Sequence, residues 1–118
     1  MLEKYIFISA DESVKPYYVE IDPERFNDTV HELLDCDYFE PVYCHIGYIL
    51  LVDEEGKLKD PSKPVNFRAS GFYPGSLYGD PIVGDVIVCT EGMRDGEPDF
   101  VPLSLRLDHL MCRILEMN

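Results

Sequence analysis

Phe39-Glu40-Pro41-Val42-Tyr43-Cys44-His45-Ile46-Gly47-Tyr48-Ile49-Leu50-Leu51-Val52-Asp53 is the most apolar stretch of this chain. Val42, Cys44, Ile46, Tyr48, Leu50 and Val52 share one parity, and Tyr43, His45, Ile49 and Leu51 share the other. A strand with one face in water alternates apolar and polar residues, whereas apolar residues on both parities mark strands covered on both sides. The stretch therefore predicts central strands of a sheet, with Gly47 as a bend or the turn of a hairpin. A fold built around it must carry packing elements on both faces.

Upstream, residues 4–21 read as a hairpin. Its strands run over Lys4–Ser9 and Tyr17–Ile21, with a turn at Asp11-Glu12-Ser13. A helix follows from Asp22-Pro23-Glu24: Asp22 caps the free N–H groups and Pro23 suits the first helical position, where no donor is needed. Phe26, Val30, Leu33 and Leu34 fall at i, i+4, i+7 and i+8, a buried stripe. Glu24, Asp28, Glu32 and Asp35 line the opposite face as a negative ridge, which reads either as a solvated surface or as a partner-binding one.

Downstream, Asp53-Glu54-Glu55-Gly56 is a turn, and Lys57-Leu58-Lys59 returns briefly as an edge. Residues 60–81 are irregular, with Pro61, Pro64, Pro74 and Pro81 among Gly71, Gly75 and Gly79; Asn66, Phe67, Arg68, Phe72, Tyr73, Leu77 and Tyr78 supply anchors. So long a loop within a domain of this size is functional or disordered, and its aromatics argue against plain disorder. Ile82–Cys89 reads as a strand, residues 91–99 as a polar connection, and Phe100–Leu103 as an edge. Ser104 caps a last helix whose stripe is Leu107, Leu110, Met111, Ile114 and Leu115. Together these predict an α+β fold in one domain, 1–118: a mostly antiparallel sheet of about five to six strands packed with two amphipathic helices.

Charge narrows the function classes. Twenty-three acids against ten bases give −13, and residues 1–55 alone hold fourteen acids and three bases. Such a balance repels nucleic acid and anionic membranes and favours a protein partner with a basic surface. Neither a signal-like apolar run at the N-terminus nor a run of about 18 apolar residues is present, so the expected location is cytoplasmic. Cys36, Cys44, Cys89 and Cys112 form no C-x-x-C pair and read as reduced thiols.

No catalytic set emerges, and the expectation is a non-enzyme. Cys44 and His45 are adjacent, but on a strand they point to opposite faces. His31 and Cys36 diverge around a helix, and His109 and Cys112 share a face without a third group to orient the imidazole. The cysteines and histidines lack zinc spacing, Asp53-Glu54-Glu55 lacks the alternation of a calcium loop, and the Gly71/Gly75/Gly79 series lacks a phosphate-loop lysine. No metal or cofactor is expected. Direct nucleic-acid binding is disfavoured, since the only basic cluster is Lys57, Lys59, Lys63 and Arg68.

Three segments carry a resemblance: Asn66-Phe67-Arg68-Ala69-Ser70 with Leu77 to Val88, then Asp99-Phe100-Val101-Pro102-Leu103, and upstream Gly47 to Gly56. Over residues 17–110 the chain resembles an uncharacterised domain-of-unknown-function family of small proteins from phages, plasmids and conjugative elements of gut bacteria, departing from it at Ser70–Gly75. The family has no activity to transfer; the resemblance implies a mobile-element accessory protein.

Two functions of different class follow. The first is an interaction protein whose ridge, Glu24, Asp28, Glu32 and Asp35, imitates nucleic acid and inhibits a host nucleic-acid-targeting defence protein. The second is a small-ligand module in which Asn66, Arg68, Ser70, Tyr73, Ser76 and Tyr78 hold a nucleotide-like or other anionic molecule. A homodimer is also expected to be possible, through an edge strand at 4–9 or 57–59.

Overall fold

A computed structural model describes residues 1–117, apart from the side chain of Leu77, which was expected among the loop anchors and lies outside the described residues. Six strands form one antiparallel sheet: β1 (Glu3–Ile8), β2 (Tyr17–Ile21), β3 (Phe39–Tyr43), β4 (Ile49–Asp53), β5 (Val86–Arg94) and β6 (Glu97–Val101). Their order is β2-β1-β5-β4-β3, with β6 paired to β5 off this path. Three helices accompany them: α1 (Phe26–Leu34), the single turn α2 (Phe67–Ser70) and α3 (Leu105–Ile114). The α+β architecture read from the sequence is the one observed.

The double-parity signal explains the layering. β4 is buried along its whole length, with Leu50 and Val52 on one face and Ile49 and Leu51 on the other. On the first face Ile6, Ile8, Leu50, Val52, Val86 and Val88 meet Met111 of α3 and Ala69 of α2. On the second, Tyr5, Phe7, Ile49, Leu51 and Ile87 meet Val30 and Leu34 of α1. Each such side chain contributes about 1.5–3 kcal/mol on burial.

Four sequence expectations are corrected. β3 is a terminal strand, half exposed, where a central one was expected; Pro41 has no N–H to give a further neighbour and is tolerated at an edge. Residues 57–59 are turn, and the 4–9 strand is flanked by β2 and β5, so neither is a sheet edge; β2, β3 and β6 are. β5 begins at Val86, four residues later than expected, because Gly84 at φ 77° breaks the extended backbone just before it. The segment 91–99 is the second half of β5 plus most of β6, joined by Asp95 and Gly96 at φ 52° and 80°, the two left-handed positions of a type I′ hairpin turn.

α3 is rotated from its expected stripe. Met111 is fully buried and Leu107 and Leu115 half-buried, yet Leu110 and Ile114 are 40% and 52% exposed. The long connection from β4 to β5 is ordered by α2, by a 3-10 turn at Pro74–Tyr78 and by a bridge between Val65 and Val83.

Candidate functional site

The ridge starts on a 3-10 turn, Pro23–Arg25, and continues on α1, where one helix from Asp22-Pro23-Glu24 was expected. Asp22 accepts from Glu24 N at 3.0 Å, Pro23 opens a 3-10 turn, and α1 follows with Val30 and Leu34 against the sheet. Glu24, Asp28, Glu32 and Asp35 are all exposed. Asp35 does not extend the helical row, because it terminates the helix in the left-handed conformation at φ 49°. Asp28 and Glu24 share a shallow hollow of about 350 Å³ with Asp99 of β6 and the cation Arg25. A second hollow, about 540 Å³, is walled by Glu3, Asp22, Glu24, Asp95 and one cation, Arg94. That cation is held by Glu3 at 2.8 Å and Asp99 at 2.9 Å. Among the described residues, none of the four ridge carboxylates takes part in an ion pair.

The loop residues are arranged differently. Asn66 is fully buried: its Oδ1 accepts from Ala69 N at 3.0 Å, and its Nδ2 donates to Ile8 O and Gly84 O, both at 3.0 Å. Ser70 Oγ donates to Ile82 O at 3.3 Å and accepts from Ile82 N at 2.9 Å. Arg68 donates to the carbonyls of Val14 and Glu12, both at 3.1 Å, and Ser76 Oγ reaches Ser70 O and Tyr73 O. Tyr73 donates to Asp80 at 3.1 Å, and Asp80 is also paired with Lys57. Lys57 and then Tyr73 hold the Asp80 carboxyl below its ordinary range. Tyr78 stands free in solvent. Asn66 and Ser70 thus fasten the loop to the sheet, while Tyr73 and Tyr78 lie toward its exposed end.

Sequence reasoning left the role of Asp53 unassigned. This buried carboxylate meets Lys59 at 2.6 Å and Lys63 at 2.9 Å, and accepts from Glu55 N at 2.9 Å. Lys63 also donates to the last carbonyls of α1, Leu34 O at 2.6 Å and Asp35 O at 2.9 Å, where the helix dipole is negative. Burial raises the Asp53 pKa, but Lys59, Lys63 and the Glu55 N–H outweigh it and the net shift is downward. The cue lay in the basic cluster at 57–63 beside an acidic turn; which lysine meets which acid depends on the fold.

Cys44 and Cys89 are poor nucleophiles by environment. Burial pushes Cys44 up to about 11, and burial followed by the charges of Glu91 and Asp99 pushes Cys89 up to about 12. A high-pKa thiol is protonated at neutral pH. Cys44 and His45 lie at the start of the 3-10 turn between β3 and β4, not on a strand as expected. The His109/Cys112 pair resolves into a different contact: Tyr18 OH lies 2.9 Å from both Cys112 Sγ and Asp108 Oδ2, tying α3 to β2.

Fold and surface define a small acidic α+β domain whose ridge carboxylates form no ion pair among the described residues. The chain belongs to the domain-of-unknown-function family DUF3846, whose family model matches residues 4–115. That match reaches further at both ends than the 17–110 expected from sequence motifs. No curated protein matches the chain. Among solved structures, the crystal structure of small RNA methyltransferase HEN1 is similar at a TM-score of 0.58 and 19% identity over 95% of this chain. The chain spans only 16% of the HEN1 chain, and the likeness is one of fold.

Proposed function

We propose that this protein is a non-enzymatic acidic interaction protein of mobile-element origin, which uses the α1 face to occupy a phosphate-binding surface on a nucleic-acid-targeting defence protein. The carrying observation is that Glu24, Asp28, Glu32 and Asp35 are exposed and outside every ion pair among the described residues. Asp99 borders the same surface beside Asp28 with its charge paired to Arg94, so the four ridge carboxylates carry the unpaired charge. A basic groove evolved for phosphates would meet carboxylates in their place, with attraction that falls as salt screens it. The origin rests on the sequence resemblance.

The test is capture of basic partners from bacterial lysate at low and high salt, followed by competition between this protein and duplex DNA for what is captured. The combined variant Glu24→Gln, Asp28→Asn, Glu32→Gln, Asp35→Asn is expected to lose about tenfold or more in affinity. Binding unchanged in that variant, or indifferent to salt, overturns the proposal.

A further inference from the structure

On the sheet face opposite α1, a cleft of about 410 Å³ opens between the end of the β1–β2 loop, α2 and the C-terminal end of α3. Its polar wall is Lys15 and Arg68, and Phe72, Pro16 and Leu115 form much of its apolar surface. The volume lies at the lower end of small-molecule sites, enough for a body the size of a mononucleotide.

Three features make this more than a surface dent. First, among the described residues neither cation has a carboxylate partner within ion-pair distance. Of the ten basic residues, Lys57, Lys59, Lys63 and Arg94 are tied into ion pairs; Lys15, like Lys4, Arg25, Arg106 and Arg113, is in no ion pair or side-chain hydrogen bond among the described residues, and it alone of these five lines the cleft. Arg68 is oriented by Val14 O and Glu12 O, which use two of its five N–H donors and leave its charge unneutralised. Second, Phe72 is half-buried with its ring fixed edge-on against Tyr48, 6.4 Å between centroids, so an aromatic surface is held ready. Third, Ile114 belongs to the apolar stripe of α3 yet is 52% exposed, and it lines this cleft. Glu116, also on the lining, supplies an acceptor.

We infer that this cleft binds a small anionic molecule with a planar apolar ring. The anion sits at Lys15 and Arg68, and the ring packs against Phe72 with Ile114 alongside. The site shares only Arg68 with the loop residues that the sequence suggested, and it stands apart from the acidic face, so either reading can fail alone.

An amide NMR titration of the whole chain with AMP, phenyl phosphate, adenosine and inorganic phosphate tests this. AMP or phenyl phosphate is expected to give saturable shifts at Lys15, Gly71, Phe72 and Ile114, with adenosine and phosphate each weaker. Lys15 is exposed and makes no ion pair or side-chain hydrogen bond among the described residues, so Lys15→Ala is expected to fold and to weaken the anionic ring compounds about tenfold. AMP binding tighter than phenyl phosphate assigns the ligand to nucleotides; the reverse assigns it to smaller aryl anions. No saturable shift from either up to about 10 mM, equal binding by Lys15→Ala, or adenosine binding as well as AMP overturns the inference.

Discussion

Helix α1 and the segment between β4 and β5 are both rich in polar side chains, and they use them in opposite ways. On α1 and the 3-10 turn before it, the carboxylates of Glu24, Asp28 and Glu32 are exposed, and among the described residues they hold nothing. Between β4 and β5, Asn66, Arg68 and Lys63 grip backbone carbonyls of other segments, and Ser70 and Ser76 grip carbonyls within the connection itself. The reason is topological. β5 enters between β1 and β4, so the connection leading to it must be pinned across the sheet, and a buried backbone needs every polar group satisfied. Polar density in a sequence therefore marks scaffold or surface, and the discriminator is whether the side chains have backbone partners.

The largest effect expected from that contrast is at Asn66. Asn66→Ala deletes a helix cap and two donors, leaving Ile8 O and Gly84 O buried without them. The loss is about 3 kcal/mol or more, measured as a shift of the urea midpoint at unchanged slope. A loss below about 1 kcal/mol, the size of an ordinary exposed cap, would break the comparison by making the loop a dispensable surface feature.

The next effect is at the Asp53 centre. Lys63→Met removes two bonds to the end of α1 and one ion pair, and is expected to destabilise by about 2 kcal/mol. The pH dependence follows from the carboxyl. Its folded pKa lies below the ordinary 3.8, so its contribution is fully present above about pH 4 and is lost as pH falls through the folded value. In Asp53→Asn the decline of stability between about pH 4 and pH 2 should be shallower than in the unmodified protein, as followed by urea titration at each pH. An identical decline in both would place the acid sensitivity elsewhere.

Local signals were legible in the sequence and non-local ones were not. The β1–β2 hairpin, α1, β4 and α3 carry caps and periodicities that act within a few residues, and each is present. The β5–β6 hairpin was obscured although Asp95-Gly96 is a strong turn signal. Its strands run through Glu91, Arg94, Glu97 and Asp99, and residues 97–99 are exposed, so no apolar alternation marks them. Pro41 likewise marked an edge that the apolar run around it concealed. Of the ridge, Glu24, Asp28 and Glu32 were readable from helical spacing, while the left-handed turn at Asp35 depends on how the chain leaves α1. The Asp53 pairs and the Lys15/Arg68 cleft join residues far apart in sequence, and only the fold brings them together.

The smallest prediction tests the solvent side of the comparison. Glu32 lies one turn after Asp28 and near the negative end of the α1 dipole, so both neighbours oppose its charge. Glu32→Gln should stabilise by about 0.3–0.5 kcal/mol at low salt and by less at high salt. Asp28, in the first turn, is favoured by the dipole, so Asp28→Asn should be neutral or slightly destabilising. Opposite signs at two positions on one face would show that the acids answer to the helix dipole and to each other, not to a packing role. A clear loss of stability at Glu32 would instead place it in the scaffold with Asn66 and Lys63. An acid retained where the fold is more stable without it needs a reason outside the fold, and a basic partner supplies one.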